Sequence, residues 1–274
     1  SNTINDAVQM GKALEQWAIK NKRNYTITYC LGDGDSLDRY YKGYNDNKTQ
    51  LSVPTHKNAT KNEFINQLKI LANNSREQDT TIIYMSTHGV RSSNDVSTYG
   101  TDLTNSTSVV FSQNGIDNYE LYSCYELIND IQNILGVKLL IADFCYSGSL
   151  INGNYVSINS DTYSTGTYAL KNNLEGNREK VSVDPSLFII TATNYKSSSY
   201  ENILGFHGYF TQALLDGLGW DEENGVLKKY APAQKNKVIT VSSLASYILE
   251  NDNKKEQTPI SSGGSNDFIL FRTN

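Results

Sequence analysis

Apolar residues recur along this chain in two rhythms. Over residues 4–20, Ile4, Val8, Met10, Leu14, Trp17 and Ile19 fall near helical spacing, with Asn5 or Asp6 placed to cap the first turn. The same spacing predicts a helix over 60–73, where Thr60 and Glu63 stand at capping-box distance, and others over 119–135, 209–220 and 241–251. Between them run short unbroken apolar stretches, rich in β-branched and aromatic residues, at 25–31, 80–86, 137–144, 186–193 and 267–272. Unbroken runs, unlike alternating ones, belong to strands covered on both faces. The pattern therefore predicts an α/β protein with a mostly parallel central sheet between two layers of helices, a three-layer α/β/α sandwich.

Two stretches break the alternation. Residues 91–118 are polar and rich in Gly, Asn and Ser, and are expected to form a loop with a short hairpin around 108–112. Residues 151–185 hold almost no apolar cluster and read as a long flexible insertion within a single domain spanning 1–274.

Composition narrows the function classes. The formal net charge is −5 and no basic block is present, which argues against a nucleic-acid partner. No apolar run approaches the roughly 18 residues of a membrane span, so no membrane partner is expected. The N-terminus has no leader signature, so the expectation is a soluble chain, cytoplasmic or secreted after removal of a leader. The three cysteines, Cys30, Cys124 and Cys145, form no CxxC pair, and the three histidines do not cluster with them, so no metal site and no cofactor are predicted. Asp95, Asp102 and Asp117 lack EF-hand spacing; calcium is left open without being predicted. Oligomeric state is not legible.

Chemistry concentrates at two strand ends. In open α/β sheets functional groups gather past the carboxyl ends of the strands. Here "TIIYMSTHG" delivers His88 and "LLIADFC" delivers Cys145. An imidazole that takes or holds a thiol proton, beside a thiolate that attacks a carbonyl carbon, is the minimal machinery of acyl transfer. The N–H groups of Gly89 and Cys145 are candidates for an oxyanion hole. A lone cysteine at a strand end is usually a small buried hydrophobe, and it is the joint placement of the pair that favours catalysis. Cys30 within a strand and Cys124 within a helix read as packing, His56 as a loop residue, and His207 as a helix-start residue near the cleft.

These motifs resemble those of the caspase/metacaspase-like cysteine peptidases (clan CD), bacterial type. Apolar strand–"STHG" and apolar strand–"DFCYSG" are similar to the family's His-Gly and Asp-x-Cys-x-Ser-Gly pair. "NDAVQMGKALEQW", "LYSCYELINDIQNILGVKLLIADFCYSG", "FIITATNYKSSSYE", "HGYFTQALLDGL" and "QTP" follow the family's order over nearly the whole chain. The resemblance implies a caspase-like sandwich and a cysteine endopeptidase with a Cys145–His88 dyad and a polypeptide substrate. The family normally opens with a strand ahead of its first helix. Here the helix comes almost at once, which leaves the completeness of the sheet open.

Asp143, two residues before Cys145, projects to the thiol's side if the chain stays extended. A carboxylate there disfavours the thiolate unless a substrate Arg or Lys compensates it, which would also gain a charge-assisted pair. The competing expectation is that Asp143 caps a backbone turn. In the branches that carry this acid, the resemblance implies cleavage after a basic P1 residue. Asp33 and Asp35 are further candidates for an acidic pocket wall, and Tyr200 and Glu201 for the substrate-binding loop. Lys171, Arg178 and Lys180 in the 151–185 insertion are candidate self-cleavage sites. Two alternatives stand beside this reading: a caspase-fold peptidase with Asp or Asn preference at P1, and a non-catalytic caspase-like scaffold or interaction module.

Overall fold

The computed structural model describes residues 2–32, 55–91, 107–112, 119–151, 184–194, 197–200, 207–252, 257–263 and 267–273. In chain order its elements are α1 (Asn2–Lys20), β1 (Thr28–Leu31), β2 (Thr55–Asn58), α2 (Lys61–Asn74), β3 (Thr80–Ser86), β4 (Gly89–Arg91), β5 (Thr107–Ser112), β6 (Tyr119–Ser123), α3 (Cys124–Gln132), β7 (Val137–Asp143), β8 (Leu187–Thr191), α4 (Tyr209–Gly217), β9 (Trp220–Asp221), β10 (Val226–Leu227), β11 (Val238–Thr240), α5 (Val241–Asn251), β12 (Ile260–Gly263) and β13 (Ile269–Arg272). A short 3₁₀ turn, Ser147–Leu150, follows β7.

The central sheet has the order β12-β8-β7-β3, with β3, β7 and β8 parallel and β12 antiparallel along the β8 edge. Alternation along β7 sorts its side chains into two cores. Leu139 and Ile141 pack with Met10 and Trp17 of α1, Phe210 and Leu214 of α4 and Ile248 of α5. Leu140 and Ala142 pack with Leu68 of α2 and Leu127, Ile128 and Ile131 of α3. The sheet therefore lies between two helical layers, and the α/β sandwich expected from the apolar runs is the observed architecture. At the start of β7 the buried Lys138 donates to the Ile134 carbonyl (2.9 Å) and pairs with Asp184 (2.6 Å). That pairing is what allows an ammonium inside the fold.

Several expectations need correction. Residues 119–135 are not one helix: 119–123 form β6, and the helix begins only at Cys124. Ser123 accepts from the Glu126 N–H while the Glu126 carboxylate accepts from the Ser123 N–H, and this reciprocal capping box fixes the helix start. Upstream of it, Tyr119–Ser123 pairs antiparallel with Ser108–Ser112. The hairpin expected near 108–112 is in fact the middle strand of a three-stranded antiparallel sheet, β4-β5-β6. His56 lies in β2 opposite Tyr29 of β1, not in a loop. The first strand starts at Thr28 rather than 25, because Tyr25 is exposed and gives its hydroxyl to Glu15. The final strand forms but pairs with β11 in a separate two-stranded sheet.

Candidate active site

Register places the site. β3 and β7 pair rung for rung from Thr80–Val137 to Ser86–Asp143, and the Thr87 N–H still donates to the Asp143 carbonyl at 3.2 Å. His88 lies two residues past Ser86, and Cys145 two past Asp143. Equal counts from one ladder bring the two chain segments side by side at the carboxyl ends of adjacent parallel strands. Gly89 shows how close they come: a Cβ built there would lie 2.0 Å from the Cys145 carbonyl oxygen and 2.8 Å from the Phe144 ring. Only a residue without a side chain fits. Gly89→Ala should therefore force the His88 segment off Cys145 and cut any thiol-dependent turnover by about 10²-fold, the usual consequence of a shift of about 1 Å in reacting groups. Turnover beside a thermal melt checks this.

Local backbone explains how the thiol is presented. Tyr146 is left-handed (φ 61°, ψ 18°), a conformation non-glycine residues adopt rarely, and it turns the chain right after Cys145, just past the end of β7. Its N–H donates to the Ser197 carbonyl (2.9 Å) and that of Ser147 to Phe144 (3.2 Å). Among the described residues, the Cys145 N–H has no main-chain acceptor. In the β4–β5 ladder the Val110 N–H donates to the His88 carbonyl (3.0 Å), so the next rung, Gly89–Val109, is a non-hydrogen-bonded pair. Gly89 thus turns its N–H away from β5, off the edge of that sheet.

The thiol is half-buried and the His88 ring exposed. Among the described residues the thiol's hydrogen bond goes to the Ser199 carbonyl, at 3.7 Å. The loop 197–200 therefore lies against the cysteine, and Tyr200 is held there by its N–H to Gln257 Oε1 (2.8 Å) and its carbonyl to the Tyr209 N–H (3.2 Å).

Asp143 continues the odd series after Leu139 and Ile141, so its carboxyl turns to the α1/α4 side. It is 6% exposed, and takes one hydroxyl on each oxygen: Ser199 Oγ on Oδ1 and Thr211 Oγ1 on Oδ2, both at 2.6 Å. Thr211, having given its proton to Asp143, accepts from the Tyr84 hydroxyl at 2.5 Å. Burial, reinforced by the charges of Asp6 and Asp252, pushes the Asp143 carboxyl up to about 7 despite the two hydroxyls. Side-chain hydroxyls, not the N–H groups of a backbone turn, satisfy this acid.

The structure thus brings together His88, Gly89, Cys145, Asp143 and Tyr200. Asp33, Asp35, Glu201, Lys171, Arg178 and Lys180 lie outside the described residues, as do Asp95, Asp102 and Asp117 and nearly all of the 151–185 insertion. Among the described residues no cluster of His, Cys, Asp and Glu is arranged to hold a metal, and no helix is long and apolar enough to cross a membrane. Cys124 is buried, and Cys30 is partly so; burial raises both thiols, to about 12 and about 11. Neither is suited to act as a thiolate. Sequence inspection missed Ser199 and Thr211, although the Ser197-Ser198-Ser199 run and the Thr in "YFTQAL" carried a faint signal. It also missed an ionic cluster beside Asp143, in which the buried Asp6 and His207 are joined by Glu222 at the surface.

No family model and no curated protein matches the chain. Similar solved structures include a structural-genomics protein from Geobacter sulfurreducens, 16% identical with a TM-score of 0.46 over 77% of each chain. Another is caspase-1 from Spodoptera frugiperda, 16% identical with a TM-score of 0.40, covering 84% of this chain and 77% of the other. The α/β sandwich is assigned from this chain's own strand order and covering helices.

Proposed function

We propose that the chain is a caspase-like cysteine endopeptidase that cleaves after Arg or Lys. The observation that carries this reading is the one-to-one β3–β7 register, which sets His88-Gly89 against Cys145. His88 removes the Cys145 proton, and the sulfur attacks the scissile carbonyl carbon. The oxygen that becomes negative takes hydrogen bonds from the Gly89 and Cys145 N–H groups. Collapse breaks the C–N bond, the leaving amine takes the proton from His88, and water then hydrolyses the thioester with His88 again as base. The missing thiol–imidazole hydrogen bond does not argue against this, since such contacts often tighten only when substrate binds.

Asp143 supports the basic P1 preference. A buried carboxylate repelled by Asp6 and Asp252 is ready for an incoming cation, and the Ser199 that donates to it also touches the thiol. An enzyme of this preference would meet Lys171, Arg178 and Lys180 as substrates in its own chain.

Fluorogenic peptides that differ only at P1 test the proposal. Turnover after Arg and Lys is expected to exceed that after Asp or Asn by on the order of 10²-fold or more. Equal turnover at all four would remove the specificity assignment. No turnover of any peptide, with no labelling of Cys145 by an arginyl or lysyl ketone, would leave the scaffold reading in its place.

A further inference from the structure

The second His-Gly pair has a buried imidazole that the reaction does not use. His207 is 3% exposed and lies between two carboxylates: Nδ1 is 2.6 Å from Asp6 Oδ1 of α1, and Nε2 is 2.6 Å from Glu222 Oε2, just past β9. A carboxylate against each ring nitrogen calls for a proton on both, which is the imidazolium form. Burial alone pulls the ring's pKa down, but the hydrogen bonds and charges of Asp6 and Glu222 outweigh it and lift it to about 9.

This ion cluster adjoins Asp143. The other Asp6 oxygen accepts from Ser86 Oγ (3.1 Å) and from the Gly208 N–H (3.5 Å). Ser86 is the rung partner of Asp143, and a Cβ on Gly208 would come within 3.0 Å of Asp143 Oδ2. The charge of Asp6 raises the Asp143 carboxyl, and two carboxylates that repel one another in the interior resist ionising together unless a cation compensates one of them. The titratable and charged groups facing the cluster are Asp6 and Lys12 of α1, Tyr84 of β3, Asp143 of β7, Glu222 past β9 and Asp252 past α5. At their centre His207 contacts Asp6 directly, at 2.6 Å.

We infer that His207 is a positioning residue for the specificity pocket: as an imidazolium it holds Asp6 ionised and fixed against Ser86 and Gly208, leaving Asp143 as the carboxylate that meets the substrate's basic side chain. The inference rests on the peptidase reading given above.

Rates on an Arg-P1 peptide, and competitive inhibition by benzamidine, are followed against pH in four proteins. In His207→Gln the acid limb of kcat/KM moves up by roughly one pH unit, because loss of a neighbouring positive charge raises both carboxyls. The loss at neutral pH falls on KM and on benzamidine affinity, with kcat little changed. In Asp6→Asn the limb moves down, the repelling charge being gone, and the preference for Arg is kept. The double variant returns the limb toward the wild-type position. A folded His207→Gln protein with a wild-type profile overturns the inference alone, as does loss of Arg preference in Asp6→Asn, which would make Asp6 the substrate's partner. If His207→Gln does not fold, the Asp6→Asn result still decides the question. A wild-type protein that neither cleaves the Arg peptide nor binds benzamidine overturns the peptidase reading and this inference with it.

Discussion

Asp143→Asn is expected to lower kcat/KM after Arg and Lys by about 10² to 10³-fold, the range for removing one partner of a buried charge pair, while making the folded protein relatively more stable at alkaline pH. The sign of the second effect follows from linkage. In the unfolded chain an aspartate titrates near about 3.9, whereas burial and the charges of Asp6 and Asp252 hold Asp143 at about 7 in the fold. Between those values the folded state binds the proton more tightly. The contribution of Asp143 to stability is therefore most favourable at acid pH, falls as pH rises through the window, and is lowest above about 7. Asparagine has no such slope. Chemical denaturation of both proteins at pH 5 and pH 8 should show the difference moving in favour of the variant as pH rises; identical slopes would mean that Asp143 titrates normally. An acid kept in the interior against its stability cost is the pattern expected of a residue held for function.

The second large effect is on the proposed Cys145–His88 dyad. Cys145→Ala and His88→Ala should each reduce peptide cleavage by at least about 10⁴-fold, and the double variant should be no worse than either single one, as for groups that act as a unit. Both single variants are expected to melt close to wild type. His88 is exposed, and the Cys145 thiol gives up only a 3.7 Å hydrogen bond to Ser199. Additive losses in the double variant, or substantial activity in either single one, would separate the two residues chemically.

The fold was legible wherever apolar residues run on unbroken. β3, β7 and β8 are apolar on both faces, so the parallel sheet follows from composition alone. β12 was not, because an edge strand of sequence Ile-Ser-Ser-Gly is held by its hydrogen bonds to β8 and carries little apolar signal. Residues 119–123 suited either rhythm, and the Ser123–Glu126 cap that marks the true helix start was present in the sequence but unused.

Within the site, the thiol, the imidazole and the acid stand out because each follows an apolar run. The groups that tune the acid do not. Thr211 meets Asp143 across 68 residues of chain, and His207 meets Asp6 across 201. No local pattern encodes such contacts, and only the alternation of β3 and β7, which turns Ser86 and Asp143 toward α1 and α4, brings them together.

The shared ladder of β3 and β7 also bears on how this chain can change over evolutionary time. Counted from the Thr80–Val137 rung, His88 and Cys145 each stand eight residues on. Substitutions along either strand preserve that tally. One residue inserted or lost in a single strand would move its functional group by a rung and turn the side chain to the opposite face. Lineages descended from such a chain can exchange most of the letters in these two strands, but they can lengthen or shorten one only if the other follows.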